Sequence, residues 1–144
     1  MNYILQMVVI VFLLVSGCVG PPSYEDGLLE NIPAVVNEPD YFSLSILGDE
    51  YSEKKEWDLL FTSDPEDMLL TTFVTKDINI TPSDSTILYL INDLNDTVFN
   101  ATLLNEFVFT SLDSITFIGN PKKVVFEANN FSGRLEYQLS LIHI

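Results

Sequence analysis

Apolar and polar residues alternate along several short stretches of the chain, with the period of a strand that buries one face. The alternation is clear in Tyr41–Leu47 and again in Arg134–Leu139. The runs EWDLLFTS and DMLLTTFVTKDI are rich in β-branched and aromatic residues, and the SDPED segment between them has the composition of a turn. We therefore expect these two runs to pair as a β-hairpin.

A different period occupies the middle of the chain. The segment TPSDSTILYLINDLNDTVF opens with Thr, Pro, Ser and Asp, residues that favour the start of a helix. Behind them the apolar residues follow helical spacing and form one stripe: Ile87, Leu90, Ile91, Leu94 and Val98. This pattern predicts a helix over Ser83–Leu94.

After this segment the pattern returns to strands. Alternating apolar positions recur at Phe107/Phe109, at Ile115/Phe117 and at Leu135/Tyr137/Leu139, and the segments GNP and NNFSG have turn composition. They predict a meander of antiparallel strands. The order of strands, helix and strands predicts an α+β fold, in which an antiparallel sheet packs against one or more helices.

The C-terminal half is also similar to a known family. The segment SITFIGNPKKVVFEANNFSGRLEYQ resembles the late hairpin of the PsbP-like family, with a turn at Gly119–Pro121, a strand at Lys122–Glu127 and a return strand at Arg134–Leu139. The resemblance covers about Tyr41 to Leu139. It implies a sheet covered by helices, in a domain that binds other proteins or sits on membrane complexes. No functional residue is carried over, because no ligand motif matches.

The end of the chain departs from that family, whose members continue with another strand and a helix. The ending LSLIHI resembles a translated sequencing adapter, so we expect a C-terminal truncation with residues 139–144 in question. In the alternative interpretation, the last strand simply ends there, because its alternation continues through Leu141.

The single cysteine follows an uncharged apolar run at the N-terminus. Val15-Ser16-Gly17-Cys18 resembles the lipobox of prokaryotic lipoproteins, which implies cleavage before Cys18 and lipid attachment to its sulfur. We therefore predict a signal peptide at 1–17, a lipid-anchored tether at 18–40 and a single α+β domain at 41–144. The alternative is an uncleaved helical anchor, because the run lacks the usual positive charge at its start.

The charge balance limits the partners of the domain. The net charge is −15, from 21 acidic and six basic side chains, while 47% of the residues are hydrophobic. The apolar content is enough for a folded core, and the negative field opposes binding to phosphate backbones. We expect a membrane-attached domain with a protein partner and no nucleic acid.

Few residues of the chain suit catalysis or metal binding. A single Cys excludes an intramolecular disulfide framework, and because the one His, His143, lies at the extreme C-terminus, we expect no Cys–His site and no Ser–His–Asp triad. The acidic runs DEYSEKKEWD and NDLND lack the spacing of a calcium loop, so we interpret them as solvated surface. Trp57, Tyr89 and Phe131 have the spacing of core residues, with a binding groove as the alternative. We predict no catalytic residue, metal or cofactor.

Four sequons agree with an extracytoplasmic location. Candidate N-glycosylation sites are Asn79, Asn95, Asn100 and Asn130. Together with Cys18 they predict a lipoprotein on the outer face of the cell membrane. Its predicted role is non-enzymatic protein interaction. The alternatives are a solute- or cation-binding lipoprotein and, third, a hydrolase of unrecognised type.

Overall fold

The computed structural model describes Tyr3, residues 27–79, Thr81 and residues 84–144. Cys18, most of the predicted signal peptide and the first part of the predicted tether lie outside these residues. The described chain forms nine strands and one short helix, in the order β1 (Ala34–Asn37), β2 (Tyr41–Tyr51), β3 (Lys54–Asp58), β4 (Met68–Lys76), β5 (Ile87–Asn92), β6 (Thr97–Thr102), β7 (Phe107–Ser114), α1 (Ile115–Ile118), β8 (Pro121–Glu127) and β9 (Phe131–Ile142).

The strands form two antiparallel sheets that pack face to face as a β-sandwich. The five-stranded sheet has the order β1-β2-β9-β4-β7, and the four-stranded sheet has the order β3-β8-β5-β6. From β2 onward the chain alternates between the sheets, except that β5 and β6 are consecutive strands of the four-stranded sheet. Strand β1 lies within the range 18–40 that the sequence assigns to the tether, and it pairs with β2.

The core lies between the sheets and is built from alternate residues of each strand. In β2 the inward residues are Phe42, Leu44 and Ile46, all fully buried, and the serines between them lie on the outer face. Strand β9 crosses the centre of the five-stranded sheet and pairs with both β2 and β4. Its inward residues Tyr137 and Leu139 are fully buried. The alternation that predicted these two strands is therefore confirmed.

The predicted α+β fold and the PsbP-like assignment are wrong. From residue 27 onward the described residues contain one helix of four residues, α1, and among them no helical layer covers either sheet. Of the segment predicted as a helix over Ser83–Leu94, the described residues form β5 and part of the turn that leads into β6. Strand β5 pairs on one side with β6 and on the other with β8.

The helical stripe failed because its members point to both faces of a strand. In β5, Leu88 and Leu90 are buried inward, whereas Ile87 and Ile91 are half-buried on the outer face. The β-branched and aromatic residues of this run suit a strand with neighbours on both sides. Pairing with those neighbours overrides the weak local helix signal.

Two predicted pairings are also wrong. Strands β3 and β4, expected to form a hairpin, lie in different sheets, where β3 pairs with β8 and β4 with β7 and β9. Strands β7, β8 and β9 exist as predicted, but consecutive members again lie in different sheets, so they form no meander. The Ile115/Phe117 alternation belongs to α1 rather than to a strand.

The end of the described chain packs against the start of β4. Strand β9 continues to Ile142, which pairs with Met68. The next residue, His143, places its Nδ1 atom 3.0 Å from the buried carboxylate of Asp67. The predicted truncation stays a prediction. No helix among the described residues has the length and apolar character needed to cross a bilayer.

Candidate functional site

A cleft opens between the two sheets on the side where β7 is the edge strand of the five-stranded sheet and β6 is the edge strand of the four-stranded sheet. We call it the edge cleft. Its volume is about 180 Å³ and its walls come from β4, β5, β6, β7 and α1. The lining residues are Leu69, Thr71, Leu90, Val98, Phe99, Phe109, Ser111, Asp113 and Ile118.

A bulge in β6 supplies one wall of the edge cleft. Leu90 of β5 pairs with Phe99, but Ile91 pairs with Thr97, so Val98 is an extra residue in β6. A bulge changes the local facing of side chains. Here the consecutive residues Val98 and Phe99 both pack against the core and both line the cleft. Regular alternation would send one of them to the outer face.

Aromatic rings connect the edge cleft to the core. The ring centroid of Phe99 lies 5.5 Å from that of Phe109, 5.9 Å from that of Phe73 and 5.4 Å from that of Tyr137. Phe73 and Phe109 are cross-strand neighbours in β4 and β7. Phe109 is 38% exposed, whereas Phe73 is fully buried. The cleft therefore presents an aromatic surface whose back is fixed by the core.

Polar groups lie at one end of this aromatic surface. The Ser111 hydroxyl donates a hydrogen bond of 2.7 Å to Oδ2 of Asp113. Asp113 pairs with the buried Leu69, and Ser111 pairs with Thr71, so both point inward from β7. The arrangement is that of a small binding site, with apolar walls and a few polar groups.

Strand β7 borders the cleft and exposes apolar side chains on its outer face. Val108 is 72% exposed and Leu112 is 55% exposed. They pair in register with Val74 and Leu70 of β4, which are half-buried. Two apolar pairs, separated by Thr72 and Thr110, therefore extend from the outer face of β4 to the edge of the sheet.

Charge is distributed unevenly over the sandwich. Four of the six basic residues, Lys54, Lys55, Lys122 and Lys123, lie on β3 and β8. The stretch 77–121, which includes β5, β6 and β7, contains six acidic residues and no Lys, Arg or His. The side of the sandwich that holds the edge cleft is therefore electronegative.

The acidic run DEYSEKKEWD lies on the opposite side, and its residues Glu53, Glu56 and Asp58 form ion pairs with lysines. Nζ of Lys54 lies 3.1 Å from Oε1 of Glu127, and Nζ of Lys55 lies 3.0 Å from Oε2 of Glu53. Lys54, assisted by the hydroxyl of Tyr89, holds the pKa of Glu127 below its usual value. These groups form a surface network, as expected for a solvated face.

The second acidic run, NDLND, forms the turn between β5 and β6. The buried Asn92 accepts hydrogen bonds from the backbone N–H groups of Leu94 and Asp96 and donates one of 2.8 Å to the carbonyl of Ile118. The side chain of Asp93 accepts from Asn120. These residues stabilise the turn. The described residues contain no group of three or more His, Cys, Asp or Glu side chains placed to hold a metal ion.

The aromatic candidates from the sequence do not meet at one site. Phe131 is fully buried, and Trp57 packs against the core with its ring centroid 6.2 Å from that of Phe42. Tyr89 lies half-buried on the outer face of β5, where its hydroxyl donates to Glu127 at 3.1 Å. Sequence reasoning missed Phe99 and Phe109 as site residues, because their meeting depends on the bulge and on the packing of the two sheets.

The four sequon asparagines lie on separate elements. Asn79 is exposed after β4, Asn95 is exposed in the β5–β6 turn with φ of 64°, and Asn100 is exposed on β6. Asn130 is partly buried, and its Nδ2 donates to Asp84 at 3.0 Å. Their glycosylation stays a prediction, as does lipid attachment at Cys18, which lies outside the described residues.

Of the comparisons with known proteins, the one with solved structures finds similar folds. No family model matches the chain, and no curated protein matches it. A family 16 carbohydrate binding module-2 structure is 14% identical over 77% of this chain and 85% of that one, with a TM-score of 0.36. A CBM4 structure is 10% identical over 76% and 77%, with a TM-score of 0.33.

The enzymatically active domain of bacteriophage CBA120 tailspike protein 4 is 9% identical over 78% of this chain, with a TM-score of 0.37. This chain spans only 18% of the length of the tailspike structure.

Proposed function

We propose that this protein is a non-enzymatic protein-binding domain whose binding site is the edge cleft and the adjoining strand β7. The observation that carries the proposal is the aromatic surface of Phe99 and Phe109 beside the exposed apolar residues of β7. Large aromatic residues at partly open positions are the usual anchors of protein–protein contacts.

The chemistry around the cleft supports binding rather than a reaction. The polar groups that line it are Thr71, Ser111 and Asp113. Among the described residues that line the cleft, no histidine, lysine or cysteine accompanies the Ser111–Asp113 pair, so the usual nucleophile–base combinations are not assembled there. Apolar walls with one polar end instead suit the capture of a side chain from a partner.

We further propose that the domain is displayed on the outer face of the cell membrane through a lipid on Cys18. The support is the small-residue pattern before the only cysteine, together with the four sequons. Replacing Cys18 by serine tests the anchor. We expect loss of labelled palmitate and release of the protein from the membrane fraction, and unchanged labelling and fractionation would overturn this part of the proposal.

Site-specific photo-crosslinking tests the binding site. Benzoylphenylalanine placed at Phe109 of the full chain in intact membranes should give a discrete adduct with another protein. The same residue placed at Tyr89 is the matched control, because Tyr89 is also an aromatic residue of a strand but lies on the other sheet. A second substitution, Leu112→Asp, should remove the Phe109 adduct.

The outcomes separate the proposal from its rivals. Equal adducts from both positions, or no protein adduct at Phe109, would contradict a binding site at the edge cleft. An adduct at Phe109 that persists in the Leu112→Asp chain would contradict a role for the outer face of β7.

A further inference from the structure

Strand β7 ends the five-stranded sheet, and the described residues place no strand beside its outer edge. Its eight residues pair with β4 in continuous register, from Thr75↔Phe107 to Met68↔Ser114. Because only one side is paired, alternate residues of β7 direct backbone N–H and C=O groups away from the sheet. Such an edge is a template for another strand.

The other three edges formed by the described strands each carry a feature that opposes pairing. Strand β1 has only four residues, β6 contains the bulge at Val98, and β3 has charged residues at four of its five positions. Short length, bulges and edge charges are the usual means of protecting sheet edges. Strand β7 has no proline, no lysine and no bulge, and its single charged residue is Asp113.

Asp113 controls which strand can pair at this edge. It points toward the cleft, so a strand added beside β7 would cover it. Covering a carboxylate without a counter-ion is unfavourable, whereas a Lys or Arg opposite it would form a charge-assisted hydrogen bond. The edge therefore favours a strand that brings a cation to this position.

A second copy of the chain cannot supply that cation through β7. The stretch 77–121 contains no Lys, Arg or His, so no register of one β7 against another places a positive group opposite Asp113. The net charge of −15 on each copy adds repulsion. The edge strand that does carry lysines, β3, has charged residues at four of its five positions, which opposes its pairing with β7 of another copy. These observations favour a different protein as the occupant of the edge.

We propose that β7 accepts an extended segment of a partner protein as a sixth strand of the five-stranded sheet. The segment carries Lys or Arg opposite Asp113, and an apolar side chain that enters the edge cleft beside Phe109. This inference rests on the proposed function, and it specifies how the partner binds. Main-chain hydrogen bonds provide affinity in this mode, and the pockets for alternate side chains provide specificity.

A designed peptide tests the inference on the full chain in detergent micelles. The probe is Thr-Lys-Val-Ser-Thr-Leu-Val-Thr, which in antiparallel register places its lysine opposite Asp113 and its leucine opposite Phe109. Hydrogen exchange measured by mass spectrometry should show new protection in β7 and no change in β1. The control peptide, with glutamate in place of the lysine, should bind about tenfold more weakly.

Charge reversal on the protein gives the decisive comparison. The Asp113→Lys variant should bind the glutamate peptide better than the lysine peptide, and the milder Asp113→Asn variant should bind the two equally. Thermal melts confirm that each variant is folded. An unchanged preference for the lysine peptide in both variants, or the absence of protection in β7, would overturn the inference.

The failures of the two proposals can be told apart. If photo-crosslinking at Phe109 gives a protein adduct but the peptides leave β7 unprotected, the binding site stands and strand addition is wrong. If β7 becomes protected as the concentration of the chain alone rises, a second copy occupies the edge and the proposed partner is wrong.

Discussion

The rings of Phe99 and Phe109 lie 5.5 Å apart although the two residues belong to different sheets. Phe109 is partly exposed, and Phe99 also contacts the fully buried Tyr137, with the two ring centroids 5.4 Å apart. Phe109 is therefore connected to the centre of the core through the ring of Phe99, which contacts the ring of Tyr137. This relationship makes the edge cleft a firm surface, because the back of the cleft cannot move without disturbing the core.

Phe109→Ala and Phe73→Ala should differ strongly in their effect on stability, although the two residues are cross-strand neighbours. Phe73 is fully buried, so its truncation leaves a cavity and should lower the free energy of unfolding by about 3–5 kcal/mol. Phe109 is partly exposed at an edge, and its truncation should cost about 1 kcal/mol. Urea denaturation measures both. Equal losses would mean that Phe109 is a core residue rather than a residue of an open cleft.

Asn92→Ala should destabilise the β5–β6 hairpin. Its side chain accepts from two backbone N–H groups and donates to the carbonyl of Ile118, all in a buried position. Removing it leaves those groups without their partner, and we expect a loss of about 2–3 kcal/mol in urea denaturation. Asn95→Gly is the control in the same turn, because a glycine adopts the positive φ of Asn95 easily. A similar loss in the control would assign the effect to the turn backbone instead.

Tyr137→Phe should leave the protein as stable or make it more stable, by up to about 1 kcal/mol. The Tyr137 hydroxyl is the one buried side-chain polar atom among the described residues with no hydrogen-bond partner, and burial raises the pKa of this group. Removing an unsatisfied polar atom relieves a desolvation cost.

The matched control for this prediction is Tyr51→Phe, which deletes a hydroxyl that donates to Glu53 at 3.2 Å. Burial, followed by the charge of Glu53, raises the pKa of Tyr51 to about 12. Differential scanning calorimetry should show a higher melting temperature for Tyr137→Phe than for Tyr51→Phe. The reverse order would mean that the Tyr137 hydroxyl has a partner in solution.

Asp67 should contribute to the acid sensitivity of the fold. The backbone N–H of Asp64, with further help from His143, holds the pKa of Asp67 below its usual value. A carboxyl whose pKa is lower in the folded state adds stability above its ordinary pKa of about 3.9. That stability is lost as the pH falls through this value towards the lower pKa of the folded state.

The Asp67→Asn variant should therefore lose less stability than the wild type between about pH 5 and pH 2. Urea denaturation across this range measures the difference. Asp58→Asn is the control, because the side chain of Asp58 is largely exposed. If the slope for Asp67→Asn equals that of the wild type, the Asp67 carboxylate does not stabilise the fold above its ordinary pKa.

Local pattern and distant contacts decided different features of this protein. Strands β2 and β9 were predictable, because apolar and polar residues alternate along each segment and a strand with one buried face requires this alternation. The strand β5 was not predictable, and a helix was expected at Ser83–Leu94 instead. A run such as ILYLI fits both the helical and the strand period, and only pairing with β6 and β8 selects the strand. The candidate site was missed for a related reason.

From sequence alone one learns that the chain is acidic, has an apolar core and consists largely of segments with strand period, and that its one cysteine follows an apolar run. The tertiary structure alone decided which sheet each strand joins, where β6 bulges and which rings meet at the edge cleft. The physical reason is the separation in sequence between the residues that interact. Side-chain alternation is a property of neighbouring residues, whereas strand pairing and cleft formation depend on contacts between distant segments, which no local pattern encodes.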